Sequence, residues 1–209
     1  MAWWAMPRSF SPMNLPMSAE QGKVLLPIAR AAISSALNIP RVADESASWL
    51  SKHGACFVTL TQCGELRGCI GSLQAHRPLL IDVKQNAVAA ALHDPRFPPL
   101  SQAELDITEI EISLLSPVQP MNFRDEADAL AQLRPGVDGV VFEYINYRST
   151  YLPQVWEHFP QPRQFLASLK NKAGLQRDFW AEGVKLSRYT VTKWREADFA
   201  EDKKLPGAT

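Results

Sequence analysis

Between Ser18 and Leu37 the apolar residues Val24, Leu25, Ile28, Ala32, Ile33, Ala36 and Leu37 recur at three- and four-residue steps, the signature of a helix with one buried stripe. Ser18 is its expected N-cap and Glu20 suits its first turn, while Pro27 inside the pattern lacks a backbone donor and predicts either a kink or a later start. Asp44 to His53 reads as a second, short helix closed by Gly54. The pattern then changes. Ala55 to Thr61 is rich in β-branched and aromatic residues, Cys63-Gly64 marks a tight turn, and Leu66 to Ile70 returns as the second strand of a hairpin. A two- or four-residue loop sets Cys69 opposite Val58 and Arg67 opposite Leu60.

From Pro78 to His93 the residues Leu79, Leu80, Val83, Ala87, Ala90 and Ala91 give a strong helical stripe that Asp94-Pro95 must stop. Ile107 to Leu115 alternates, with Ile110, Ile112 and Leu114 on one face and Glu109, Glu111 and Ser113 on the other. Beyond it a short helix is expected at Asp125 to Leu133 and a strand at Val140 to Ile145, with a hairpin turn at Asn146 to Ser149. Leu152 to Phe159 and Phe165 to Lys172 read as helical, Gly174 ends the second, and Val184 to Trp194 supplies a last strand. Helices and hairpins mix without strict alternation, so the expected class is α+β, a mostly antiparallel sheet with flanking helices. Residues 18–196 are expected to form one unit of two unequal subdomains around a cleft, after a loosely ordered extension (1–17) holding Trp3 and Trp4 and before a charged tail (197–209).

Composition narrows the function classes. The 209 residues carry 22 basic and 22 acidic side chains, which cancel, so the basic excess that drives nucleic-acid binding is missing. At 46% hydrophobic and 21% charged the chain is globular in character, and no apolar run is long enough for a membrane helix. Three cysteines make a poor disulfide framework and fit a reducing cytoplasm. Neither their spacing nor that of the four histidines matches a metal module, and no nucleotide-binding or serine-hydrolase motif occurs, so no metal or cofactor is expected.

Candidate chemistry gathers in two segments. In Glu65 to Ser72, Gly68 and Gly71 flank Cys69 within a strand, which weakens pairing unless a bulge or a close approach is wanted. Regular strand geometry points Arg67 and Cys69 the same way. The guanidinium would then favour a thiolate, against the apolar walls of Val58 and Leu60. In His93-Asp94-Pro95-Arg96-Phe97-Pro98-Pro99-Leu100 the prolines stiffen a loop that presents Arg96 and Phe97. Glu109 and Glu111 share a strand face and are available to pair with an arginine or to move protons.

Leu66-Arg67-Gly68-Cys69-Ile70-Gly71 and Asp94-Pro95-Arg96-Phe97-Pro98-Pro99-Leu100 resemble the signature segments of the AMME chromosomal region domain family. Similar segments follow at Glu111 to Pro117, Gly136 to Val140, Thr150 to Val155 and Ser168 to Leu175, so the likeness runs from about Gly22 to Trp194; Pro27 and the N-terminal extension depart from it. The resemblance implies an α+β domain of two subdomains. Through prokaryotic relatives it also implies an association with a Memo-like protein and a radical S-adenosylmethionine enzyme. Two readings follow. In one, Cys69 is a nucleophile or covalent carrier, Glu111 or His93 moves protons, and Arg67, Gly68, Gly71, Arg96 and Phe97 hold a small anionic substrate. In the other, the same surface docks a partner or ligand without turnover, Cys69 is structural and Phe97 is the anchor.

Overall fold

The computed structural model describes residues 19–199. The extension with Trp3 and Trp4, the Ser18 cap and the chain from residue 200 onward lie outside the described residues. Helix α1 (Ala19–Ala36) runs without interruption through Pro27, whose ring faces outward, while Leu25, Ile28, Ala29 and Ile33 are buried. Arg30 lies on this buried stripe. It donates to the Leu105 and Thr108 carbonyls (2.8 and 2.6 Å) and pairs with Glu196, tying the helix to the sheet behind it.

The short helix expected at Asp44 to His53 shrinks to a single 3-10 turn, Ser48–Ser51. Only Leu50 among these residues is fully buried, so no stripe holds a longer helix in place. His53–Gly54 (β1) instead pairs with Arg77–Pro78 (β4). Strands β2 (Cys56–Gln62) and β3 (Glu65–Gly71) form the expected hairpin, its turn made by Cys63 and Gly64 with φ of 51° and 84°. Helix α2 (Leu79–Leu92) follows, then a capped turn at Gln102–Ile107 and strand β5 (Thr108–Leu115). The first sheet has the order β10-β5-β2-β3, fully antiparallel, with β10 at Val191–Arg195. Both α1 and α2 pack on one of its faces around Val58, Leu60, Ile110 and Ile112.

The second sheet runs β6 (Gln119–Pro120), β9 (Lys185–Tyr189), β7 (Gly139–Tyr144), β8 (Tyr147–Tyr151), again antiparallel. It packs on α3 (Glu126–Gln132) and α4 (Pro162–Lys172) around Phe142, Leu166, and Trp156 stacked on Phe165. Leu152 to Phe159 yields only a 3-10 turn at Pro153–Glu157. The β7–β8 turn is Ile145-Asn146, so Tyr147 to Ser149 already belong to the strand.

The expected last strand is two strands in different sheets, β9 and β10, divided at Thr190. The chain thus leaves the first sheet after Leu115 and returns to it after Thr190. The two crossings are bonded to each other, Ser116 N to the Thr190 carbonyl and Thr190 N to Ser116 Oγ, both 2.9 Å. Ala55, Leu115, Val141 and Tyr189, with Phe57, Leu152 and Val191, pack the base of the junction between the sheets.

Candidate functional site

A register shift decides what surrounds Cys69. Pairing starts as expected with Gln62 opposite Glu65 and Thr61 opposite Leu66, but a bulge then sets Leu60 opposite Gly68 and Thr59 opposite Cys69. Cys69 therefore faces Thr59, not Val58, and Thr59 Oγ1 donates to its sulfur at 3.3 Å. Arg67 is the extra residue of the bulge, and both it and Gly68 turn toward the helix-covered face. There Arg67 is buried and donates to Glu104 Oε1 at 3.0 Å, beside Gln62. The expected Arg67–Cys69 neighbourhood is absent: the two side chains lie on opposite faces of β3.

The cation that flanks Cys69 is Arg96. Asp94, at the head of the proline loop, accepts the Cys69 backbone N–H at 2.8 Å, an outward donor on an edge strand. Arg96 donates to both Asp94 oxygens (2.9 and 2.6 Å) and to the Cys69 carbonyl (3.2 Å). This carboxylate–guanidinium pair takes the place of a further strand. Asp94 is nearly inaccessible, and its carboxyl is held far below the ordinary range, chiefly by hydrogen bonding from Arg96, against the cost of burial. Arg96 is held in its charged form chiefly by Asp94, with Cys69 adding in the same direction. Its side chain stays 53% exposed, with the guanidinium 5.5 Å from the centre of the Phe97 ring.

Glu111 sits on β5 opposite Thr59, so Cys69, Thr59 and Glu111 form one row across three strands on the face away from the helices. Ser113 Oγ and Lys193 Nζ hold the Glu111 carboxylate at 3.4 and 3.5 Å. Thr59 stands between it and the thiol. His93 caps α2 and lines a groove on the helical side, apart from this row.

Both glycines have packing causes. A β-carbon on Gly68 would lie 2.2 Å from the Ala90 carbonyl oxygen of α2, and one on Gly71 would lie 2.3 Å from the Phe57 ring. Their space is filled by the protein itself, which removes the case for a ligand pressing on either. Gly68→Ala is expected to cost about 3 kcal/mol, the upper end for overpacking, because a helix backbone must move. Urea denaturation checks this, and a loss under about 1 kcal/mol would show that α2 yields easily.

Three features escaped the sequence reading. Thr59 as the thiol's partner depends on the bulge, and the contact from Asp94 to Cys69 depends on the loop folding back. The third was legible. Asp82 and Asn86 sit one helical turn apart on the buried stripe of α2, and Asp82 accepts from Cys56 N, Ser72 Oγ, Arg77 Nε and Asn86 Nδ2 at 2.6–2.9 Å. Polar residues at those helical positions signal a buried network. It fixes the chain just after β3 and surrounds Cys56, whose thiol is pushed well up by burial and by the Asp82 charge. Cys63 is exposed in its turn. No three His, Cys, Asp or Glu side chains converge as a metal set among the described residues, and none of their helices is long and apolar enough to cross a membrane.

Two antiparallel sheets exchanged through paired crossings, with a cysteine-bearing edge strand clamped by a rigid Asp-Pro-Arg loop, define a two-sheet α+β protein. The chain belongs to the AMMECR1 family, whose model matches residues 26–194. It is 35% identical over 187 residues to a protein of Methanothermobacter thermautotrophicus, covering 87% of this chain and 97% of that one. Protein MJ0810 of Methanocaldococcus jannaschii is also 35% identical, over 87% of this chain and 93% of its own length. The crystal structure of the uncharacterized protein PH0010 from Pyrococcus horikoshii superposes with a TM-score of 0.70 at 31% identity, covering 85% of this chain and 92% of that one.

Proposed function

We propose that the sheet face at Cys69 binds a small anionic ligand, with the Arg96 guanidinium as the anion's partner and the Cys69 thiol as the group that meets its reactive end. The observation that carries this is the clamp at the edge strand. Asp94 fixes Arg96 against the Cys69 carbonyl yet leaves about half of the Arg96 side chain open to solvent, beside the half-buried Cys69. Thr59 orients the sulfur, and Phe97 backs the guanidinium. Arg67 and Gly68 shape this strand from behind, Gly71 lies against the Phe57 ring on the face of Cys69, and Glu111 marks the far end of the polar row. His93 plays no part in this arrangement. The free cysteines suit a reducing, cytoplasmic setting.

Alkylation followed cysteine by cysteine by mass spectrometry tests the reading, with exposed Cys63 as internal reference. Cys69 is expected to react faster with iodoacetate than with iodoacetamide after normalisation to Cys63, and Arg96→Ala is expected to lower that ratio about three- to tenfold. If neither reagent labels Cys69 in the folded protein, the ligand reading fails. A second reading is favoured by the row of Cys69, Thr59 and Glu111 running across three strands of one sheet face. In it the row is a docking surface for a protein partner, the Memo-like protein and radical S-adenosylmethionine enzyme being the partners that the family resemblance suggests.

A further inference from the structure

A groove of about 640 Å3 lies between α1 and α2 and is lined also by residues of the segment from Arg41 to Glu45. Its floor is made of small residues, among them Ala31, Ala32 and Ala36 from α1 and Ala89 from α2. Such a floor admits close approach by another chain. At the rim Val42 is 95% exposed, the most accessible of the large apolar side chains described. Val42 belongs to none of the packed cores among the described residues. A protruding apolar knob therefore stands beside an apolar hollow on the same surface.

The rim charges have the same reciprocal character. Glu45 meets Lys84 at 2.8 Å, but both are more than a third exposed, so the carboxylate can accept a second cation. Arg41 has no hydrogen bond or ion pair to any described residue. Asp44 beside it is engaged by Ser46. One copy of this surface thus offers an unpaired cation, an accessible carboxylate, a knob and a hollow. A two-fold axis matches each feature to its complement, because an isologous contact brings residue i of one copy to residue j of the other and the reverse.

We infer that a second copy of this chain occupies the groove, Val42 of each copy seated over the alanine floor of the other and Arg41 of each meeting Glu45 across the axis. The Cys69 side chain lies on the opposite face of the first sheet from this groove, and His93 in the groove adjoins Asp94 of the clamp.

Sedimentation equilibrium of the full chain from about 1 to about 100 µM tests this. The expected result is a monomer–dimer equilibrium within that range. Val42→Asp, at a position too exposed to affect folding, is expected to raise the dissociation constant at least about tenfold. Arg41→Glu is expected to weaken the dimer as well, and the double variant Arg41→Glu with Glu45→Arg to restore it. A chain that stays monomeric to about 100 µM overturns the inference and leaves the groove to a different occupant. A dimer indifferent to Val42→Asp also overturns it, because the interface then lies elsewhere.

Discussion

Asp82→Ala is expected to destabilise the fold by about 4 kcal/mol, the largest single loss among the changes considered, since removing one partner of a buried ion pair costs roughly 3–5 kcal/mol. Asp82 is fully buried and serves four donors at once: the Cys56 amide, the Ser72 hydroxyl, Arg77 and Asn86. Its loss takes the carboxylate from Arg77, which keeps the neutral acceptors of Gln85, Ser72 and Asn86, and leaves the buried Cys56 N–H without its acceptor, while the Asn86 amide keeps the Cys56 carbonyl. Urea unfolding followed by circular dichroism measures the effect, with an unchanged slope showing that stability alone has moved. Labelling of Cys56 supplies a local readout. The native thiol is fully buried and should resist reagents, and the variant should expose it as the chain after β3 loosens. A loss under about 1.5 kcal/mol would mean that water replaces the carboxylate.

Asp94→Ala is expected to cost about 3 kcal/mol and to detach the proline loop from β3. The carboxylate receives three bonds from Arg96, one of them from the backbone, and one from the Cys69 amide. Bonds to a charged acceptor contribute about 1.5–3 kcal/mol each, but Arg96 is half exposed and solvent screens its share, which sets the sum near the lower figure for a buried pair. The pH dependence follows from the direction of the shift. The folded carboxyl titrates far below the unfolded value of about 3.9, so its contribution is complete above that value and is lost as the pH falls below it. Glu104, brought down to about 2 chiefly by the Ser101 backbone bond and then by Arg67, loses its contribution over the same acid range. Thermal melts between about pH 2 and pH 7 should show the natural protein weakening steeply below about pH 4, and Asp94→Asn should flatten part of that fall. An identical profile in both would remove Asp94 as the source. The same variant tests the site, because without its anchor Arg96 no longer stands against the Cys69 carbonyl and the iodoacetate preference should disappear.

The placement of Cys69 shows how a single residue separates a good strand prediction from a correct site. Alternation and the Cys63-Gly64 turn located both strands of the hairpin, yet the pairing inferred from the turn holds only for Gln62 with Glu65 and Thr61 with Leu66. A bulge has no local sequence code here. It is stabilised by what lies behind the strand, where the Ala90 carbonyl of α2 occupies the place of a Gly68 side chain and Glu104 receives Arg67. One residue of slip moves every later side chain to the other neighbour, and so it exchanges Val58 for Thr59 and Arg67 for Arg96.

Amphipathic period and turn chemistry alone determined α1, α2, α4, the β2–β3 hairpin, strand β5 and the α+β class, because each depends on residues within one or two turns of each other and on a stripe that any core would bury. Tertiary structure decided the rest. Whether Asp44 to His53 makes a helix depended on there being no surface to receive it, and whether Val184 to Trp194 is one strand or two depended on which sheet had an open edge on each side of Thr190. Asp94 illustrates the same division. Its position before Pro95 marks a helix end in any sequence, but its bond to the Cys69 amide, 25 positions away, exists only because α2 packs across the sheet and returns the chain to the edge strand. Contacts of that range are selected by the summed packing of the whole core, which no local pattern encodes.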